Sequence, residues 1–169
     1  MIERKYLFHF VDSAFKKLTS DDGTPPTSTA YVRLGKDLEA YAEELNPQVS
    51  VQANILGEQT VRHTGYQVSS TVEPYYAEYN DPLFEKLQEI ANNRVIGDGT
   101  ETTRIDGLMD STGTVIWAYM EACRVIPNSL GGDTSGVQIP FQVQNCGNRH
   151  RVNFDLSTKT ATKYTPPQQ

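Results

Sequence analysis

The sequence predicts an α+β fold that is mainly β, because alternating polarity recurs along the chain and one segment alone has a strong helical pattern. A period of two is typical of strands, since successive side chains point to opposite faces of a sheet. The alternation is most extensive in residues 47–73, which we interpret as a long β-hairpin closing at residues 55–58. The helical pattern lies at about 81–95. We therefore expect a β-sandwich or barrel with one flanking helix.

Length and composition predict one domain spanning residues 1–169. The chain has 37% hydrophobic and 21% charged residues, which suits a globular protein with a substantial core. Residues 19–30 are rich in Ser, Thr, Pro and Asp, so we expect a mobile surface loop inside the domain. The tail from about residue 160 is expected to be frayed.

The formal charge of −6 argues against a surface that grips nucleic acid. No apolar run approaches the roughly 18 residues of a membrane helix, so membrane insertion is not expected. The N-terminal residues lack the pattern of a signal peptide. We expect a protein that stays in the cytoplasm until it joins something larger.

The predicted hairpin has one apolar face. A lone two-stranded hairpin is marginal in water, so a neighbouring subunit is the natural cover for that face. The residues expected to form this inter-subunit hairpin are Val49, Val51, Ala53, Asn54, Ile55, Leu56, Gly57, Glu58, Tyr66, Val68 and Val72.

The opposite face is polar and is expected to carry no Lys or Arg. Its residues are Ser50, Gln52, Gln67, Ser69, Thr71 and Glu73. One interpretation is a plain solvated face; the other is the wall of a channel for DNA. Because each phosphate neutralised by a cation adds to binding, a conduit that must release DNA should avoid positive charge.

The helix has both of its start signals. Asp81 can cap the free N–H groups, and Pro82 fits the first helical position. Leu83, Leu87 and Ile90 form an apolar stripe, and Gly97 is the expected stop. Residues 38–45 fit a helix or a strand, and the choice stays open.

The remaining segments predict strands at residues 6–11, 31–35, 103–109, 114–126, 136–145 and 152–156. Pro140 removes a ladder donor, so the strand over 136–145 is expected at or near a sheet edge. A simple hairpin about 127–136 would pair Cys123 near Pro140 rather than Cys146. We therefore expect two reduced, packed thiols rather than a disulfide.

No motif supports catalysis, and no cofactor or metal is expected. His9, His63 and His150 are scattered and are expected to be structural or solvated. The glycine-rich run at 131–136 lacks a P-loop lysine and precedes a strand, and the aspartates match no EF-hand spacing.

Several segments occur in an order that matches a known family. They are residues 3–7, 31–39, 46–47 with 54–58, 73–77, 81–83, 131–140 and 146–149. Together they resemble the major tail tube proteins of tailed bacteriophages, especially those of Gram-positive hosts and their prophages. The loop at 19–30 is longer than the family pattern.

This resemblance implies a structural virion protein with a tail-tube-type fold. Its subunits would form stacked hexameric rings with an inner β-barrel, through which DNA passes transiently on its way into the host. Other tail proteins, namely the tip or baseplate, tape measure and terminator, would be its partners. It would reside in the virion tail after assembly in the bacterial cytoplasm.

Two alternatives remain. One is a carbohydrate- or receptor-binding β-sandwich, another virion component, which would need an exposed aromatic platform. Tyr75, Tyr76 and Tyr79 are the one candidate cluster, although packing at the start of the helix is the simpler interpretation. The other is an enzyme of unrecognised type.

Overall fold

The computed structural model describes residues 1–168 and confirms a mainly β fold of the α+β class. These residues contain α1 (Pro82–Asn93), two short 3-10 turns and twelve strands. The strands are β1 (Leu7–Asp12), β2 (Tyr31–Leu34), β3 (Pro47–Ala53), β4 (Gln59–Tyr66), β5 (Ser69–Val72), β6 (Glu101–Met109), β7 (Val115–Pro127), β8 (Gly131–Asp133), β9 (Gly136–Gln138), β10 (Phe141–Asn145), β11 (His150–Asp155) and β12 (Thr160–Lys163).

A curled antiparallel sheet of eight strands forms the body of the molecule. One path runs β12-β11-β7-β6-β1-β2, and β10 joins β7 on one side and β5 on the other. Strand β7 has 13 residues and is long enough to pair with two strands along one edge. Its first half pairs with β11 and its second half with β10, so the sheet divides there.

Each face of this sheet covers its own hydrophobic core. The first core contains Val11, Val125 and Phe141 on the face that α1 covers with Leu83 and Leu87. The second contains Phe8, Phe10, Ile105, Met120 and Phe154 on the opposite face. Alternation along β1 sends Phe8 and Phe10 to one core and Val11 to the other, which explains why this strand is apolar on both sides.

The helix forms as its sequence predicts. The Asp81 carboxylate accepts a hydrogen bond from the Leu83 amide at 3.0 Å, and Pro82 is the first helical residue. Leu83, Leu87 and Ile90 are buried. The predicted stop at Gly97 is wrong, because Arg94 already adopts the left-handed conformation with φ of 51° and ends the helix.

The strand predicted over 136–145 is two strands. Residues 136–138 form β9, which pairs with β8, whereas β10 lies between β5 and β7. Strand β10 is therefore not at an edge, and Pro140 lies between the two strands, where its missing donor breaks no ladder.

The register expected for the cysteines is also wrong. Cys123 lies opposite Asn145, because the 128–140 connection contains its own small hairpin rather than a simple turn. Both cysteines are free in the described chain; Cys123 is buried, but Cys146 is exposed, so the expectation of two packed thiols is wrong for Cys146. Burial raises the pKa of both thiols, most strongly that of Cys123.

Two further segments differ from expectation. Residues 38–45 form neither a helix nor a strand, except for a single bridge between Glu44 and Ser69. The tail is ordered beyond residue 160, because β12 pairs with β11; Gln169 lies outside the described residues. The loop at 19–30 has no regular secondary structure and is tied to β11 by a hydrogen bond between His150 and Asp21, and to β12 by an ion pair between Lys163 and Asp22.

The predicted hairpin ends earlier than residue 73. Strand β4 ends at Tyr66, and the chain then bends and enters the main sheet as β5, which pairs with β10. Within residues 1–168, no helix is both long and apolar enough to span a membrane.

Candidate assembly surface

The β3–β4 hairpin projects from the body of the molecule. Strands β3 and β4 pair with each other and with no other strand of the described chain. Every residue of the two strands is exposed except Gly65, which is half-buried. A strand of seven residues spans about 23 Å at about 3.3 Å per residue. Since an isolated hairpin is only marginally stable in water, an exposed hairpin of this length needs another surface to pack against.

The tip of the hairpin is a tight turn organised by Asn54. Its side-chain oxygen accepts hydrogen bonds from the amides of Leu56 and Glu58, at 2.9 and 3.0 Å. Gly57 has φ of 80°, a conformation that other residues adopt only with strain. The Asn54 amide group donates to one carboxylate oxygen of Glu58 at 2.7 Å. The turn therefore holds Ile55 and Leu56 outward, and both side chains are exposed.

One face of the hairpin is an apolar ribbon. Val51 pairs with Val61 and Val49 with His63, and directly opposite residues share a face. A bulge at Thr64 inserts one unpaired residue, which returns Tyr66 to this same face opposite Pro47. The His63 and Tyr66 rings are in edge-to-face contact, with centroids 4.6 Å apart. The valines are more than half exposed, at 54% for Val49, 59% for Val51 and 65% for Val61.

The other face of the hairpin is polar but not free of positive charge. Ser50 pairs with Arg62 and Gln52 with Thr60, so these four side chains share a face. The expectation that this face lacks Lys and Arg is wrong, because the predicted second arm began at Tyr66 and left residues 59–65 out. One guanidinium per chain lies on the polar face.

The missed arm had a readable signal. Asn54 suits the position just before a three-residue hairpin loop, and Gly57 suits the last position of that loop, where φ is positive. Such a loop fixes the register of both arms. The second arm must then start at residue 59, where Val61 and His63 alternate with Thr60 and Arg62.

The remaining predicted site residues lie beyond the hairpin. Val72 is fully buried in the core and Val68 is half-buried, so neither belongs to the exposed ribbon. Ser69 and Thr71 lie on β5, on the face opposite buried Ser70 and Val72, and pair with Gln144 and Gln142 of β10. Gln67 and Glu73 flank these strands and are exposed.

A buried polar network fixes the root of the hairpin. Arg104 on β6 makes two hydrogen bonds to Asp106, at 2.9 and 2.7 Å. The same guanidinium reaches Ser70 of β5 at 3.1 Å and the Tyr41 hydroxyl at 3.4 Å. His9 donates to Asp106 at 2.5 Å. Segments that enter and leave the hairpin are thus bonded to one cation in the body of the sheet.

The Asp106 carboxylate and the Arg104 guanidinium each stabilise the charged form of the other. Burial alone would raise the pKa of Asp106, but the hydrogen bond from His9 and the charge of Arg104 hold it below the ordinary value. Burial likewise opposes the charge of Arg104, and the Asp106 carboxylate nevertheless raises its pKa. Both groups are therefore ionised, and Arg104 is one of the largest fully buried side chains in the chain.

The other candidate features do not form a chemical site within residues 1–168. No group of three or more His, Cys, Asp or Glu residues is placed to hold a metal ion. His9 lies in the buried network, His63 on the hairpin and His150 beside Asp21.

The three tyrosines do not form an aromatic platform. The Tyr75 hydroxyl donates to Asp81 at 2.6 Å, and its ring packs on Phe141. Burial and this carboxylate raise the pKa of Tyr75. Tyr76 bridges to Gln138, and Tyr79 alone is fully exposed.

Comparisons with solved structures show which proteins share this fold. A chain of the PVC sheath-tube complex, an extracellular contractile injection system in its extended state, matches with a TM-score of 0.51 and 8% identity over 89% of this chain and 90% of that chain. A chain of the PVC sheath/tube terminator matches with a TM-score of 0.50 and 10% identity over 89% of this chain and 96% of that one. No family model and no curated protein matches the sequence. At these identities the likeness is one of fold.

Proposed function

We propose that this chain is a structural subunit that assembles with copies of itself into stacked hexameric rings, forming the tail tube of a phage or a related injection system. In a phage, the tube would conduct DNA into the host. The observation that carries this proposal is the β3–β4 hairpin, whose apolar side chains are exposed and whose strands pair with no other strand of the described chain. The fold shared with chains of sheath-tube assemblies supports the same function.

The geometry of the hairpin favours a ring of copies as its cover. Along the second arm, the apolar face passes from Val61 through Tyr66 toward Val72, which lies in the core of the chain. The exposed ribbon therefore projects beyond the body of the molecule as a two-stranded sheet of its own. In a closed ring, each hairpin would lie beside the next, which removes the free strand edges and covers the valines.

The polar faces of the hairpin and of β5 would line the bore. Ser69, Thr71, Gln142 and Gln144 form a neutral patch on paired strands. Arg124, opposite Gln144, is paired with Asp98 at 3.1 Å. Of the residues discussed for the lining, Arg62 contributes the one cation with no carboxylate partner in the described chain. Such a wall has few groups that could neutralise phosphates, which suits transient passage of DNA.

Electron microscopy of the purified protein tests this proposal. The wild-type chain should form rings or tubes. Replacing Val51 and Val61 with Glu should abolish them, because the paired carboxylates would be buried between copies without a partner. The monomer should keep its stability, since both positions are exposed in the single chain.

The opposite face of the same hairpin provides the matched control. Gln52→Glu with Thr60→Glu adds the same charge to an adjacent pair, on the face that we assign to the bore. This variant should still assemble. A wild-type protein that stays monomeric at high concentration, or two variants that assemble equally well, would refute the proposal.

A further inference from the structure

A basic cleft lies beside the root of the hairpin. It has a volume of about 420 Å³ and is lined by residues of the N-terminus, of the end of β2 and of the segment before β3. Four of the chain's fifteen Lys and Arg residues lie here, with one acidic residue, Glu39. In a chain of net charge −6, this is a concentration of the minority charge. The cations of the cleft are Arg4, Lys5, Arg33 and Lys36.

Two of these cations have no carboxylate partner in the described chain. Arg4 donates to the backbone carbonyls of Leu7 and Tyr41, at 2.8 and 3.1 Å, and Arg33 donates to the carbonyl of Lys5 at 3.1 Å. These bonds orient the guanidinium groups without neutralising them. Both keep free N–H donors, and a guanidinium is suited to bind a carboxylate through two of them.

The cleft is also partly apolar. Leu7, Leu34 and Leu38 line it; Leu34 is already buried, whereas Leu7 and Leu38 are half-buried. A ligand that fits must therefore present apolar side chains next to a negative charge. A phosphate group satisfies the cations but leaves Leu7 and Leu38 partly exposed.

The tip of the hairpin has this combination of groups. Ile55 and Leu56 are exposed at 102% and 78%, and Glu58 follows within the same turn. The Asn54 side chain holds one oxygen of the Glu58 carboxylate, and the other has no partner in the described chain. The tip of the same copy cannot enter its own cleft, because Tyr41 lines the cleft near the root and the tip lies about 23 Å along the ribbon.

We propose that the hairpin tip of one copy docks in the basic cleft of another copy, with Glu58 paired to Arg33 and with Ile55 and Leu56 covering Leu7 and Leu38. This inference rests on the proposed self-assembly and names the contact through which it occurs. Tip and cleft are different surfaces of one chain, so the contact is heterologous. A heterologous contact repeats from copy to copy and generates rings or filaments rather than closed dimers.

Charge reversal tests the docking. Arg33→Glu with Lys36→Glu should raise the critical concentration for assembly at least tenfold, and Glu58→Lys should do the same. Combining all three changes should bring it back to within about threefold of the wild type, because the pair is restored with opposite signs. Lys16→Glu with Lys17→Glu is the matched control, since it changes the charge equally at exposed residues outside the cleft and should leave assembly unchanged.

A crosslink provides a second measurement that does not depend on charge. In a Cys146→Ser background, Leu56→Cys with Ala40→Cys should form disulfide-linked ladders of copies on mild oxidation, and Leu56→Cys with Lys17→Cys should not. Wild-type assembly together with normal assembly of the Arg33→Glu, Lys36→Glu variant would overturn the docking while leaving the proposed function intact. Failure of the wild type to assemble would overturn both. Cleft-dependent binding of inorganic phosphate with no effect on assembly would identify an anion site instead and refute the docking.

Discussion

Arg104 shows how one residue can define the geometry of a surface that it does not touch. Its side chain is 1% exposed, and its hydrogen bonds reach β5, the segment before β3 and the carboxylate of Asp106. A buried ion pair adds little net stability over apolar packing, but breaking it is costly because the remaining charge has no partner. Its contribution is thus to hold the root of the hairpin in one arrangement.

Asp106→Asn should destabilise the folded monomer by about 3–5 kcal/mol at neutral pH, because it leaves the buried guanidinium of Arg104 without its counter-charge. The difference in the free energy of unfolding between the wild type and Asp106→Asn should decrease at acidic pH. The pKa of Asp106 is lower in the folded chain than the ordinary value of about 3.9, so its contribution is fully present above that pH and is lost as the pH falls through the folded pKa. Urea unfolding measured from pH 7 to pH 2.5 checks both parts.

Asp37→Asn is the control for that series. Asp37 is exposed and has no ion pair in the described chain, and its replacement should change the free energy of unfolding by less than about 0.5 kcal/mol. A gap between the wild type and Asp106→Asn that stays constant with pH would contradict an ionised Asp106.

The network itself could not be predicted from the sequence. Arg104 and Asp106 are two residues apart on a strand, and that spacing is equally typical of a solvated face. What buries them is the approach of Tyr41, Ser70 and Asn145, which are 34 to 63 residues away. The local sequence pattern does not predict contacts between residues so far apart in the chain.

At the scale of the element, the secondary structure predicted from the sequence is correct where neighbouring residues along the chain determine it. The start of α1 follows from Asp81 and Pro82, and β1, β2, β6 and β7 follow from alternation. The predicted secondary structure is wrong where pairing between strands determines it. Residues 136–145 alternate without interruption, but their two halves pair with different strands, and residues 47–73 divide because Ser69–Val72 pairs with β10.

The cap of α1 is a test at this scale. Asp81→Ala should lower the free energy of unfolding by about 1–2 kcal/mol, because the Leu83 amide loses its acceptor and the Tyr75 hydroxyl loses its partner. Asp81→Asn should lose less than half as much, since the amide oxygen can still cap the helix. Thermal or urea unfolding measures both variants, and equal losses would contradict the capping role.

The whole molecule has a covered body and an uncovered extension. Both cores are closed within the chain, whereas the hairpin between β3 and β4 is exposed along its length. A chain that only had to fold would gain nothing from this ribbon. The folded body is thus stabilised by residues whose partners are in the same copy, and under the proposed function the apolar face of the hairpin serves a contact between copies.

The proposed bore gives the last prediction. Replacing Ser69, Thr71 and Glu73 with Lys should leave rings and tubes intact, because Ser69 and Thr71 point away from the core and Glu73 is exposed. The added cations should hold DNA in the tube through its phosphates, so DNA release from assembled particles should slow, and more so at low salt. Thr19→Lys, Thr27→Lys and Glu85→Lys add the same charge at exposed positions outside the proposed lining and should leave release unchanged. Equal release from both variants would show that β5 does not face the bore, whereas loss of assembly in the first alone would place it between copies.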